Sequence, residues 1–334
     1  MPPRFPVIVG PTAGGKSDLA VEVALALRDQ HGIPAEIVTA DSIQVYRGLD
    51  IGSAKPTIDE RRGIPHHLID VVEPTDSFTV DRWLDLAERA IADIKARGEK
   101  GGVPIVVGGT HLYIKAFLDG LFEGPPADPA LREELGAMDP LARRRLLEEI
   151  DPAAAARIHP NDIRRTIRAL EVYRLTGRPI SEHQRQWDSG RGRTDCVLIG
   201  LDWDVPALNR RINARVRAMM ARGLLEETRA LFESGRLGPQ AAEALGYKQL
   251  LAYLRGPQTP ARLEEAVESI KIETRRFAKN QRTWLRRLRA TPGSVWIPMN
   301  EANAGAVREH AQIVLQQVFT SHDPRAGTSG NPGG

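Results

Sequence analysis

The octapeptide Gly10-Pro11-Thr12-Ala13-Gly14-Gly15-Lys16-Ser17 stands between two contrasting patterns. Before it lies a short apolar run, Pro6 to Gly10. After it, from Lys16 to Asp29, Leu19, Ala20, Val23, Ala24 and Leu27 recur at helical spacing. The octapeptide fits G-x-x-x-x-G-K-[ST] and sits where that motif must sit, between a strand and a helix. A strand feeding such a loop into a helix aims backbone N–H groups at an anion on the helix N-terminus. Lys16 adds a point charge, and the Ser17 hydroxyl can ligate Mg²⁺. The alternative is a ligand-free glycine turn; the motif with its flanks favours a bound di- or triphosphate. A strand, loop and helix in this order also commit the chain to an α/β fold.

The next segments extend that commitment. Ile37 to Ala40 reads as a strand ending at Asp41, and Leu68 to Val72 as a third. Val80, Trp83, Leu84, Ala87, Ala90, Ile91 and Ile94 follow helical spacing, with Thr79 as N-cap. Val103 to Val107 is a fourth strand, ending in Gly108-Gly109-Thr110. Such alternation implies a parallel sheet with right-handed crossovers. The pattern changes at Gly124-Pro125-Pro126, and from there to Arg193 the chain reads helical and Arg-rich. Strand character returns at Cys196 to Leu201 and at Val295 to Ile297, with long helices expected around Leu208 to Phe232 and Leu263 to Arg289. The expectation is therefore an α/β fold: a P-loop NTPase-like parallel sheet core over 1–122 and 195–318, a helical insertion domain over 123–194, and a flexible tail over 319–334.

With 334 residues, 41% of them hydrophobic, the chain can bury a core without staples. A single cysteine, Cys196, excludes a disulfide framework and any Cys-rich zinc site. The apolar run Val7-Ile8-Val9 is too short for a signal peptide or a membrane span, so a cytoplasmic protein is expected. The net charge of +3 conceals segregation. Arg157 to Arg193 holds nine arginines against four acids, Val205 to Arg222 five arginines and no acid, and Lys271 to Arg289 eight basic residues against Glu273. Any one such window is usually a solvated helix face; three together suit a polyanion lying across the molecule.

In a doubly wound sheet the strand carboxyl ends line one crevice, where Thr12, Lys16, Ser17, Asp41 and Thr110 should converge. Asp41 is either a functional carboxylate there or the cap of a turn at Ser42. His66, His67 and His111 invite a metal reading, but no third ligand stands at zinc spacing.

Longer blocks are more specific. Gly10 to Ser17, Asp41 to Pro56 (DSIQVYRGLDIGSAKP), Pro65 to Val72 (PHHLIDVV) and Val106 to Tyr113 (VVGGTHLY) resemble the tRNA dimethylallyltransferase family, also called tRNA isopentenyltransferase. Asp151 to Leu170, Asn213 to Leu225 and Ala244 to Gln249 continue the resemblance in order, so that it spans roughly 7–296. Gly14 stands where Ser is common and Ser17 where Thr is common, and both keep the loop chemistry.

The resemblance implies transfer of a dimethylallyl group from dimethylallyl diphosphate to N6 of adenosine 37, immediately 3′ of the anticodon, in tRNAs reading codons that begin with U. The products are N6-isopentenyladenosine and pyrophosphate. It implies that the loop, Gly10, Pro11, Thr12, Ala13, Gly14, Gly15, Lys16 and Ser17, holds the donor's diphosphate rather than ATP. By the same resemblance Thr12 should lie near the bridging oxygen, Thr110 and Arg215 should reach the diphosphate, and Ser17 should carry Mg²⁺. The resemblance makes Asp41 the expected general base, an aid that a poorly nucleophilic exocyclic amine needs, and Ser42, Ile43 and Gln44 the residues expected to meet the extruded base. Thr110, Arg132, Arg164, Arg165, Thr166, Ile167, Arg168, Ala244, Leu245, Gly246, Tyr247, Lys248 and Gln249 match tRNA-contacting positions. The implied partner is a tRNA anticodon stem-loop, bound by a monomer with no membrane and no obligate protein partner. A metabolite kinase, an enzyme prenylating free adenine nucleotides and a non-catalytic RNA-binding module are the rivals; the first two have no need of the basic insertion.

Overall fold

The computed structural model describes residues 4–97, 101–120, 124–184 and 192–319. They divide into two compact units, 1–114 with 194–334 and 115–193. Among the described residues no helix is long and apolar enough to cross a membrane.

The first unit is built on six parallel strands, β1 (Phe5–Val9), β2 (Ala35–Ala40), β3 (His66–His67), β4 (Val103–Gly108), β5 (Cys196–Trp203) and β6 (Val295–Met299), in the order β3-β2-β4-β1-β5-β6. Strands β1, β2 and β4 are buried along their whole length, as a parallel sheet covered on both faces requires; β2 buries Glu36 and Thr39 with its apolar residues. The chain leaves β1 for β2, skipping the place that β4 later fills, and only afterwards adds β5 on the other side. This reversal of direction opens a crevice at the carboxyl ends of β1 and β4. Register sharpens it: Val9 and Ala40 both pair with Gly108, so Gly10, Asp41 and Gly109 leave the sheet at one level.

Helix α1 (Lys16–His31) follows the glycine loop and buries Leu19, Ala20, Val23, Ala24 and Leu27. After α2 (Ile58–Arg61), α3 (Val80–Lys95) starts at Thr79, whose side chain accepts from Arg82 N–H, and buries Trp83, Ala87, Ala90, Ile91 and Ile94. Right-handed crossovers running in opposite directions put α1 and α3 on opposite faces. Helix α4 (His111–Asp119) follows β4. Beyond β5 come α10 (Val205–Ala221), α11 (Leu224–Glu233), α12 (Tyr247–Leu254), the 29-residue α13 (Pro260–Leu288) and α14 (Val307–Phe319).

Three expectations need correction. Leu68 to Val72 is not a strand: the pairing residues are His66 and His67, against Ile37 and Val38. Leu68 and Asp70 adopt positive φ, and Asp70, Val71 and Val72 fold back so that their N–H groups reach Gln44 O and Val45 O. The helix expected over Leu208 to Phe232 is two helices, because Gly223 at φ 96° caps α11 in a conformation that a side chain would disfavour. Phe319, expected in the tail, closes α14; the rest of that tail, 320–334, lies outside the described residues.

The second unit is all helix among its described residues beyond α4: α5 (Pro129–Ala137), α6 (Pro140–Ile150), α7 (Pro152–Arg157), α8 (Ile163–Thr176) and α9 (Ile180–His183). Asp-Pro dipeptides start three of them. Asp128, Asp139 and Asp151 each accept backbone N–H groups of the first turn while proline occupies the first helical position. Leu135, Leu147, Ala154, Ala155, Ala169, Leu170, Val172 and Ile180 form its core.

Candidate active site

The crevice is a cavity of about 400 Å³, walled by Thr12, Ala13, Lys16, Ser17, Asp41 to Gln44, Gly52 to Ala54, Gly108 to Thr110, Arg215 and Ala244 to Gly246. Each wall has a local cause. The glycine loop closes on itself, with Gly14 N–H donating to Pro11 O (3.1 Å) and Lys16 Nζ donating to the same oxygen (2.8 Å). From outside it is braced by Trp203 Nε1, donating to Gly14 O (3.0 Å), and by Arg211 Nε, donating to Ala13 O (3.0 Å).

Asp41 satisfies both of its readings. Its Oδ1 accepts from Ile43 N–H (2.8 Å) and Gln44 N–H (3.2 Å), which makes the turn that follows β2. Its other oxygen keeps no protein partner among the described residues, on a side chain that lines the cavity. Thr110 Oγ1 accepts from Ser42 N–H (3.1 Å) and so ties the end of β4 to this turn.

The cations face opposing forces. Burial pushes Lys16 down from 10.5 to about 8, the Arg215 charge pushes the same way, and Asp41 opposes both. Burial likewise lowers Arg215, against the pull of Asp41 and Asp18. No acid pairs with Arg215 among the described residues. Two poorly solvated cations near one carboxylate form a site that an anion would complete. The Ser17 hydroxyl, exposed on the cavity wall and without a partner among the described residues, offers the hard oxygen that Mg²⁺ prefers alongside water and phosphate. No group of three or more His, Cys, Asp or Glu residues suits a metal among the described residues. His66 Nδ1 instead meets Ile64 O (2.8 Å), His67 Nε2 meets Glu36 (2.6 Å), and His111 stacks on Trp284.

Of the stretch matched to RNA contacts, Ala244, Leu245 and Gly246 line the cavity, Lys248 is exposed and pairs with Glu243 (2.7 Å), and Gln249 Oε1 accepts from Gly246 N–H (2.9 Å). Tyr247 is fully buried, so its ring faces the protein interior rather than a ligand. In the helical unit, Arg164 and Arg165 are exposed, Thr166 is buried with its hydroxyl donating to Asp162 O (2.9 Å), and Ile167 packs against the core. Arg132 and Arg168 converge on the buried Glu171: Arg132 Nε donates to Oε1 (2.8 Å) and Arg168 to Oε2 (2.6 Å). Burial opposes charge on Glu171, yet these hydrogen bonds and one from Asp128 N–H prevail and hold its carboxyl below the usual range.

Sequence reasoning misses Gln281. It stands in the apolar stripe of α13, with Ile270 and Trp284, where helical spacing points to core packing. Its Oε1 accepts from Thr12 N–H (2.8 Å) and its Nε2 donates to Gly109 O (3.0 Å), joining the glycine loop to the end of β4. A glutamine at a core position is itself the signal, since a buried amide needs partners.

Comparisons with known proteins meet this geometry from outside. A family model described as IPP transferase matches residues 44–288. A tRNA dimethylallyltransferase of Geobacillus kaustophilus is 44% identical over 325 residues, covering 95% of this chain and 98% of the relative. The solved full-length tRNA isopentenylpyrophosphate transferase of Bacillus halodurans is similar at a TM-score of 0.66 and 37% identity, with 94% of this chain and 96% of that chain covered. A eukaryotic dimethylallyltransferase, captured in crystallographic snapshots acting on tRNA, gives a TM-score of 0.76 at 28% identity, covering 93% of this chain and 77% of that chain.

Proposed function

The chain belongs to the IPP transferase family, and from that premise we propose that it transfers a dimethylallyl group from dimethylallyl diphosphate to N6 of adenosine 37 in tRNAs reading codons that begin with U. The single observation carrying this reading is the meeting of Lys16, Arg215 and the half-free carboxylate of Asp41 in one cavity at the sheet's carboxyl edge.

The chemistry follows from what each group can do. The allylic C–O bond breaks with its electron pair leaving on pyrophosphate, so negative charge gathers where Lys16, Arg215 and the loop N–H groups stand. The Ser17 hydroxyl is the group that would hold Mg²⁺, which when bound would further neutralise the diphosphate. The adenine N6 lone pair forms the new bond to the dimethylallyl carbon, and the amine proton passes to the free oxygen of Asp41. The turn that clamps the other Asp41 oxygen keeps the base aimed. Thr110, hydrogen-bonded to the Ser42 amide, ties the donor side of the cavity to this turn.

The tRNA anticodon stem-loop then lies against exposed cations, of which Arg164 and Arg165 on α8 are candidates. A cytoplasmic monomer is the form in which we expect the protein to work. The test is incubation with unmodified tRNA, dimethylallyl diphosphate and Mg²⁺, followed by nucleoside mass spectrometry. N6-isopentenyladenosine beside the anticodon is expected; prenylated AMP in preference to tRNA, or no prenylated adenosine, would sink the reading.

A further inference from the structure

Gln44 lines the cavity from the turn capped by Asp41. Its Nε2 donates to two backbone carbonyls, Ser53 O and Ala54 O, each at 3.2 Å. Two carbonyl oxygens can be met only by the NH₂ end of the amide, so chemistry settles its orientation. Anything in the cavity is then offered Oε1 alone, an acceptor.

Those carbonyls belong to the turn 50–54, and α11 holds that turn. Glu227 Oε2 accepts from Asp50 N–H (3.1 Å) and Ile51 N–H (2.8 Å). Its Oε1 accepts from Gly52 N–H (3.2 Å) and from the Tyr247 hydroxyl (2.5 Å). Successive backbone N–H groups around one carboxylate make an anion nest filled by the protein's own side chain. The fit is close: a Cβ on Gly52 would lie 2.4 Å from the Tyr247 ring. Tyr247 opens α12 directly after Ala244 to Gly246, which line the same cavity. One carboxylate–phenol pair thus ties two turns of the cavity wall together.

We propose that Glu227 and Tyr247 are positioning residues that fix Gln44 as an obligate acceptor, so that the cavity selects a base presenting an amino group and rejects one presenting a keto oxygen at the same edge. The inference rests on reading this cavity as the acceptor-base site. An amino N–H facing Oε1 gains a hydrogen bond, whereas a keto oxygen there leaves two acceptors opposed and unpaired. An amide free to turn would serve both bases. The restraint behind the turn is what makes the glutamine selective.

The experiment compares the full-length wild type with Glu227→Gln and Tyr247→Phe. Anticodon stem-loops carrying adenosine or inosine at the acceptor position compete for binding, and KM and kcat are measured separately for donor and tRNA. Wild type should prefer adenosine by about tenfold or more, the factor expected for one buried mispaired group. Glu227→Gln should bring that ratio close to one and raise KM for tRNA while KM for the donor stays unchanged. Tyr247→Phe, which removes a single oxygen and reads the same ratio if Glu227→Gln fails to fold, should move it less. Variants that keep the wild-type ratio while melting earlier, with donor and tRNA parameters falling together, would overturn the inference in favour of plain structural support. A wild type that prenylates tRNA yet binds both stem-loops equally overturns the inference alone. A wild type that prenylates no tRNA overturns the transfer reading, and the inference falls with it.

Discussion

The sheet-edge cavity and the helical unit both take charge out of water, and they treat it in opposite ways. In the cavity Lys16 donates to a carbonyl, Arg215 meets no paired acid among the described residues, and burial lowers the pKa of both. In the helical unit the buried Glu171 is gripped by Arg132, Arg168 and the Asp128 amide, and its carboxyl is held low. Saturated charge of the second kind organises a fold. Incompletely satisfied charge of the first kind costs stability and persists where a ligand completes it. Arginine count alone would rank the helical unit as the more functional region; the partners of each charge separate the two.

The largest effect should come from removing cavity charge. Lys16→Ala should lower kcat/KM for the donor by about 10²–10³, the range for losing one preorganised contact to a leaving group, while a denaturant melt stays unchanged or improves. Equal loss of stability would erase the contrast between the regions. Next, Glu171→Ala should cost about 2–4 kcal/mol of unfolding free energy, since it removes the buried acceptor shared by Arg132, Arg168 and the Asp128 N–H. Because the folded carboxyl is held low, this contribution is present above the ordinary carboxylate range and is lost as pH falls through the lowered folded value. Urea melts across acid pH, compared between wild type and Glu171→Ala, would show wild type losing its advantage there; an advantage that grew in acid would contradict the assignment.

The smallest effect is a pH dependence at Lys16. Its folded pKa of about 8 lies below its ordinary 10.5, so the charged amine penalises the folded state below pH 8, and the penalty fades as pH rises through that window. A bound diphosphate reverses the preference, so that binding above pH 8 is coupled to uptake of a proton by the Lys16 amine. Donor affinity should therefore fall by up to about tenfold per pH unit above 8, read by titration calorimetry in buffers of different ionisation enthalpy. A flat profile would mean that the amine is already charged and solvated in the empty site.

Much of the frame is legible in the sequence because it rests on local periodicity. Apolar runs mark β1, β2, β4 and β5, and the ends of three of them locate Thr12, Lys16, Asp41 and Thr110 around one crevice from the order of residues alone. What local periodicity misses is set by distant partners. The segment after His67 reads as a strand by composition, yet Lys55 draws Asp70 into an ion pair (2.5 Å) and the backbone turns with it. Gln281 reaches Thr12 across 269 positions, and Glu227 reaches Gly52 across 175, separations at which no spacing rule operates. The double nature of Asp41, both turn cap and half-free carboxylate, is likewise a property of three dimensions, because either role has the same signature in one.

That double nature gives the most direct test of the central claim, that under-satisfied charge at the sheet edge performs the transfer. Asp41→Asn keeps an oxygen for the Ile43 and Gln44 amides and removes only the base. Radiolabelled dimethylallyl diphosphate and unmodified tRNA are supplied to wild type and variant, with label in tRNA and tRNA binding both measured. Wild type should label adenosine 37, and Asp41→Asn should bind tRNA as tightly and melt at the same temperature while transferring about 10²–10⁴ times more slowly. Transfer by Asp41→Asn at the wild-type rate would contradict the account.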